Sequence, residues 1–326
     1  MIKKILFVFA ITLSSLLAVA QQDAQYSQYM FNGIYINPAY AGYKEQLNVH
    51  SFYRNQWTGI IGAPKSMSLA VDAIANSGNV GLAFQVASDK LGAQNSVSAY
   101  ANYAYRLRVG KSESSRLALG VGVGVLQQGI DGNNLNARDE GDNFIPIGNQ
   151  NEIVPDARAG VFYSDDRFYA GFSADNLIAQ YILNQRNLSV YFQTPKTHFY
   201  LTVGMLLPIN ESVQIKPSFL LKDDRGGPTS LDINAFVLLG NKIWVGGSYR
   251  TAVKLYNKSY LQSNLQKTNS AVGMVEFFAT NFLRLGYAYD QTLSSLAGYS
   301  GGSHEISVGF TIKPKKGIKM LTPRYF

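Results

Sequence analysis

Arg116-Leu117-Ala118-Leu119-Gly120-Val121-Gly122-Val123-Gly124-Val125-Leu126 alternates, residue by residue, between bulky aliphatic and minimal side chains. Successive side chains of a strand point to opposite faces. This period of two therefore puts Leu117, Leu119, Val121, Val123 and Val125 on one face and Ala118, Gly120, Gly122 and Gly124 on the other. A nucleotide loop is excluded, because Gln127 stands where G-x-G-x-x-G needs its third glycine and no helix follows. The stretch reads as a strand with one apolar face and one face of small groups.

The same alternation recurs along the chain. Val97, Ala99, Ala101, Tyr103, Tyr105 and Leu107 oppose Ser96, Ser98, Tyr100, Asn102, Ala104 and Arg106, and Ile306, Val308, Phe310 and Ile312 oppose Glu305, Ser307, Gly309 and Thr311. Fourteen such runs are found, near 45–57, 65–75, 78–89, 94–109, 115–129, 154–164, 167–175, 195–207, 211–223, 228–239, 242–252, 265–278, 281–292 and 303–313. The links after even-numbered runs are short, while those after odd-numbered runs include 130–153, 176–194, 253–264 and 293–302. Short turns at one end and long loops at the other, with an even strand number, predict an all-β transmembrane outer-membrane barrel of about 14 antiparallel strands. A β-sandwich would share the period, but many of these runs are longer than the ~5–6 residues usual in globular sheets and fit the ~9–11 that cross a bilayer at a tilt. A propeller would require a blade repeat, and none is present.

Composition agrees. Only 15% of the 326 residues are charged, against roughly 25% in soluble domains, and the chain holds 30 Gly, 21 Tyr, 18 Phe and 2 Trp. The absence of cysteine excludes disulfides, thiolate metal sites, a cysteine nucleophile and a lipidated cysteine anchor. His50, His198 and His304 lie far apart, and His50 and Ser51, adjacent in a strand, face opposite ways; neither catalysis nor a cofactor is expected. Asp131 and the Arg138–Asp142 run miss the EF-hand spacing at Leu135 and Asn136, which favours a solvated loop over a weak calcium site.

Lys3 and Lys4, the apolar run from Ile5 to Leu17 and Ala18-Val19-Ala20 have the order of a cleaved secretory signal, so residues 1–20 are expected to be removed. Without Lys3 and Lys4 the basic residues number 27 against 21 acids, a modest excess with no nucleic-acid footprint. Residues 21–44 carry Tyr26, Tyr29, Met30, Phe31, Ile34, Tyr35, Ile36, Tyr40 and Tyr43 with almost no charge, which predicts an amino-terminal plug or a periplasmic docking segment ahead of a barrel over 45–313. Arg54 and Gln56 share a face with His50 and are expected to point into the lumen, Arg54 tethering a plug; Trp57, of opposite phase, is expected in an interfacial girdle. Residues 314–326 form a basic tail, read as periplasmic with the amino terminus, against anionic headgroups or a partner.

Gln25-Tyr26-Ser27-Gln28-Tyr29-Met30-Phe31-Asn32, Tyr35-Ile36-Asn37-Pro38-Ala39-Tyr40-Ala41-Gly42, Tyr53-Arg54-Asn55-Gln56-Trp57, Gly62-Ala63-Pro64-Lys65 and the ending Pro323-Arg324-Tyr325-Phe326 resemble the PorP/SprF membrane proteins of the type IX secretion system of Bacteroidota. Ala24 departs from the family's habit of a proline there. The resemblance spans the whole mature length. It implies a non-enzymatic outer-membrane barrel that binds and anchors, or helps export, a surface protein such as an adhesin with a type B carboxy-terminal signal domain, in gliding species among others. Partners implied are that protein, other type IX components and outer-membrane lipid. Candidate plug or partner contacts are Tyr29, Phe31, Tyr35, Asn37, Pro38, Arg54, Gln56 and the loop residues Phe144 and Tyr181, with Ile145, Ile147 and Tyr191 as further exposed apolar groups. A plugged channel or hydrophobe transporter is the competing reading; an outer-membrane hydrolase lacks its residues.

Overall fold

The computed structural model describes residues 26–75, 78–110, 112, 114–135, 146, 148–185, 192, 194–258, 261 and 268–312. Fourteen antiparallel strands close on themselves: β1 (Leu47–Asn55), β2 (Lys65–Ala75), β3 (Val80–Leu91), β4 (Gln94–Arg108), β5 (Arg116–Asp131), β6 (Asn149–Ser164), β7 (Phe168–Asp175), β8 (His198–Met205, resumed after Leu206 as Leu207–Asn210), β9 (Val213–Asp223), β10 (Thr229–Leu239), β11 (Ile243–Val253), β12 (Thr268–Phe278), β13 (Leu283–Thr292) and β14 (Ser303–Ile312). Each strand pairs with its sequence neighbours. β1 then pairs with β14, from Leu47 opposite Ile312 to Asn55 opposite His304. Closure gives every strand two hydrogen-bonding neighbours and leaves no open edge, the condition for a sheet to survive in hydrocarbon. No helix among the described residues is long and apolar enough to cross a membrane.

Alternation has the predicted consequence. Leu119, Val121, Val123 and Val125 are 45–65% exposed on the outer wall, while Ala118 on the same strand is 3% exposed and faces the lumen. Exposed aliphatic and aromatic side chains on a closed sheet are what a lipid solvent requires, and here they include Phe84, Tyr103, Tyr105, Phe172, Tyr249, Tyr287 and Phe310. The inward phases carry buried Asn, Asp, Glu, Lys and Arg instead, among them Asn102, Asp156, Lys216, Glu276 and Glu305.

Two details depart from the sequence reading. β6 begins at Asn149, well before 154, and pairs with β5 out to Asp131 opposite Asn149. Gln150, Asn151 and Glu152 break the apolar alternation, yet backbone pairing outruns the hydrophobic face and carries this hairpin beyond the apolar zone. Trp57 lies past the end of β1, in the left-handed region at φ 49°, its amide donating to Ser303 Oγ at 3.1 Å; it belongs to a connection and not to a strand-borne girdle.

The inward glycines have two different causes. A Cβ at Gly120 would overlap the backbone of Ala39, and one at Gly81 would overlap the carbonyl of Ala41, so both leave room for another stretch of main chain. Gly122 and Gly124 instead give their space to adjacent strands: Gly122 to the side chains of Asn102 of β4 and Arg158 of β6, and Gly124 to the Tyr100 ring and the Ala99 carbonyl of β4. Substituting Val at Gly81 or Gly120 is expected to cost about 1–3 kcal/mol and to lower the heat-modification temperature of the detergent-purified barrel on gels. Gly273→Ala, where a Cβ meets nothing within 4 Å, is expected to leave that temperature unchanged.

Candidate functional site

Residues 26–45 run through the inside of the barrel. Their local shape follows from the repeated Asn and Pro: three single 3₁₀ turns, Tyr29–Phe31, Gly33–Tyr35 and Pro38–Tyr40, follow one another with no longer helix. Asn32 Oδ1 accepts from the Ile34 amide at 3.4 Å and Asn37 Oδ1 from the Ala39 amide at 2.9 Å, each capping the turn that follows; Pro38 takes a first-turn position that has no need of an N–H. Turns this short project aromatic side chains in several directions. Phe31 meets Phe236 and Trp244 at ring-centroid distances of 5.5 and 6.5 Å, Tyr26 and Tyr35 meet Phe52 at 4.3 and 4.5 Å, and Tyr40 and Tyr43 meet Phe162 at 5.5 and 5.3 Å.

A chain of short turns leaves backbone groups without partners of their own, and the barrel wall supplies many of them. Glu305 accepts the consecutive amides of Ser27 and Gln28 at 2.7 and 2.9 Å. Lys216 Nζ donates to the Met30 carbonyl at 2.9 Å and Arg158 Nη2 to that of Tyr35 at 3.2 Å, and the Ser173 hydroxyl donates to the Ile36 carbonyl; the segment's own Lys44 Nζ supplies the Phe31 carbonyl at 2.7 Å. Asn234 Nδ2 donates to the Tyr29 hydroxyl at 2.8 Å, and the Asn37 amide reaches the Val161 carbonyl at 3.0 Å.

The wall groups are themselves linked by charge. Arg54 bridges Asp290 at 3.0 Å and Glu305 at 3.2 Å and donates to Ser27 Oγ at 2.6 Å, while Arg250 pairs with Asp232 at 2.9 Å and reaches Asp290 at 3.5 Å. Arg106 holds Glu45 at 2.9 Å near the other end of the segment. Above the segment, toward the long connections, a cavity of about 230 Å³ is lined by Tyr26, Tyr35, Gln85, Ser98, Tyr100 and Lys196 among others. Among the described residues no cluster of three or more His, Asp or Glu could hold a metal.

Tyr29, Phe31, Tyr35, Asn37, Pro38 and Arg54 thus come together, all buried inside the barrel. Gln56 does not join them: it is half-buried beyond the end of β1, where its backbone N–H donates to the Pro64 carbonyl at 2.9 Å. The turn at Trp57 and Thr58 takes the chain off the strand, so lumen phase no longer applies there. Tyr181 stands apart on a short helix, α1 (Ala179–Gln185), with 68% of its surface exposed. Phe144, Ile145, Ile147 and Tyr191, the Arg138–Asp142 run, the signal and the basic tail lie outside the described residues. Sequence reasoning passed over Glu305, Asp290, Lys216, Asn234 and Arg158. Each is a polar or charged residue on the inward phase of an otherwise apolar strand, and that was the available signal.

The sequence matches the family described as type IX secretion system membrane protein PorP/SprF over residues 18–310. The chain belongs to the PorP/SprF family. Its membership and its barrel point to the outer membrane, and the family is one of secretion membrane proteins, not of enzymes. Among proteins with curated descriptions none matches the chain. Solved structures similar in fold to this PorP/SprF protein include the CymD monoaromatic hydrocarbon channel (9% identity, 88% of this chain and 93% of that one, TM-score 0.47), the Acinetobacter baumannii outer membrane protein Omp33 (8%, 83% and 100%, 0.46) and a Pseudomonas aeruginosa FadL homologue (9%, 86% and 93%, 0.44).

Arg54 ties two wall carboxylates to the start of the inner segment. Arg54→Ala leaves the buried Glu305 carboxylate without its cation and Asp290 with Arg250 alone, at 3.5 Å, and is expected to cost about 3–5 kcal/mol, read as a lower guanidinium midpoint of the barrel refolded in detergent. Arg54→Lys is expected to recover only part of that, because a point ammonium does not span Asp290, Glu305 and Ser27 together.

Proposed function

We propose that this PorP/SprF barrel is a closed anchor of the type IX system that holds an exported surface protein, such as an adhesin, by its long-connection end. The observation that supports this reading most strongly is the inner segment. A conduit gated by a removable plug needs weakly held contents, whereas residues 26–45 are bonded to the wall through main-chain carbonyls and amides, buried ion pairs and aromatic contacts. In this reading the segment closes the lumen and stiffens the barrel, and partner contact falls to the long connections, where Tyr181 on α1 and, across the barrel mouth on the connections that flank the β1–β14 seam, Ile61 and Tyr299 are exposed apolar groups. Both chain termini then lie on the periplasmic side, residues 1–20 having served as a cleaved signal, and the basic tail is free to meet other secretion components.

Affinity purification from outer membranes solubilised in mild detergent, followed by mass spectrometry, is expected to recover one large exported protein at near-stoichiometric yield. Tyr181→Asp is expected to lower that yield severalfold without altering barrel assembly. In planar bilayers the wild-type protein is expected to show no conductance steps; recovery of the barrel alone, together with open-channel steps, would favour the hydrophobe-transporter reading and overturn this one.

A further inference from the structure

The inner face of β6 touches two things that are distant in sequence. Val154, Asp156 and Arg158 share its inward phase and are 1–3% exposed. Asp156 Oδ1 accepts the amides of Ile178 and Ala179 at 3.0 and 2.9 Å and so caps α1, while its Oδ2 accepts the Tyr100 hydroxyl at 2.6 Å. The buried side of the same helix, Ala179 and Leu183, packs on Leu126 and Val154. Two residues along, Arg158 pairs with Asp175 at the root of that connection, through Nη2 at 2.9 Å and Nε at 3.1 Å, and donates to the Tyr35 carbonyl of the inner segment. Its guanidinium lies 5.5 Å from the centre of the Tyr100 ring. Tyr100 therefore contacts both the residue that holds the helix and the residue that holds the inner segment.

We infer that Asp156, Arg158 and Tyr100 form a relay through which the seating of α1 on the barrel wall controls how firmly the inner segment is held. The physical ground is that every member is buried and paired. Lifting α1 removes two charge-assisted hydrogen bonds from Asp156, exposes the Asp175 end of the pair to water and frees Arg158 to follow it. Because Arg158 is the cation bonded to the Tyr35 carbonyl, the inner segment loses that tie at the same time. The opposite face of α1 presents the exposed Tyr181, so a protein gripping the helix pulls on the relay from outside. This purpose rests on the anchoring role proposed above; the relay itself does not.

The chain has no cysteine, so single reporters are clean. Ser98→Cys lines the cavity beside the relay, whereas Ala39→Cys lies within the inner segment itself, buried where that segment packs against Gly120. In purified barrels, Leu183→Glu, which unseats α1, is expected to raise the maleimide labelling rate of both reporters, by about fivefold at Ala39→Cys, within the range of measured coupling networks. Arg158→Ala is expected to raise the Ala39→Cys rate by a similar factor with α1 untouched, and the two changes together by less than their product. Asp156→Ala serves as a second route to unseating the helix should Leu183→Glu fail to assemble. Faster labelling at Ser98→Cys alone would mean that unseating α1 only uncovers the cavity, and would overturn the relay. No partner is present in this measurement, so its outcome stands apart from whether an exported protein co-purifies.

Discussion

Every backbone N–H and C=O inside a bilayer must find a partner within the protein, and the whole structure depends on how this chain meets that demand twice over. The wall meets it by closing β1 onto β14. The inner segment cannot use a ladder, because it crosses the lumen in broken turns. Its groups are met one at a time by wall side chains, by Glu305 for two successive amides and by Lys216, Arg158 and Ser173 for carbonyls. Those side chains are charged or polar because only such groups reach a main-chain atom across the lumen, and this is why a barrel poor in charge overall concentrates its charge inside.

Burying charge creates a second requirement. An ion in the lumen is stable only when paired and hydrogen-bonded, and breaking a pair costs more than the pair contributes over an apolar substitute. Here the acids and cations are chained, Asp232 to Arg250 to Asp290 to Arg54 to Glu305, so that the carboxylate receiving the amino-terminal amides of the segment is itself fixed by strands from across the closure. Position of the segment and integrity of the β1–β14 seam are thereby the same physical problem. The aromatic contacts add area and shape, with Phe31, Tyr35 and Tyr40 each seated against a ring of the wall, but they do not by themselves choose a register.

How much of this was legible beforehand differs by residue. Arg54 was readable as an inward cation because strand phase is strict and one-residue slips invert it. Gln56 followed the same rule and was misplaced, since phase ends where the strand ends, and the left-handed turn at Trp57 is set by contacts to Ser303 and Gly302 that no local pattern announces. The start of β6 was missed because water-exposed hairpins keep pairing after the apolar alternation stops. Strand phase places the glycines inward but does not say what fills the space: at Gly81 and Gly120 it is the backbone of the inner segment, and at Gly122 and Gly124 it is chiefly Arg158, Asn102 and Tyr100 on adjacent strands.

The amino-acid sequence by itself determined the class of solvent, the strand count, the two faces of each strand and the family, since lipid imposes a period-two code on every crossing and short turns alternate with long connections. Only the tertiary structure decided which inward charges meet, which carbonyl each cation holds and that α1 and the inner segment share one patch of β6. The reason is that such contacts join residues on different strands and connections, some as far apart in sequence as Arg158 and Tyr35, and the geometry that brings them within hydrogen-bond reach exists only after the barrel has closed.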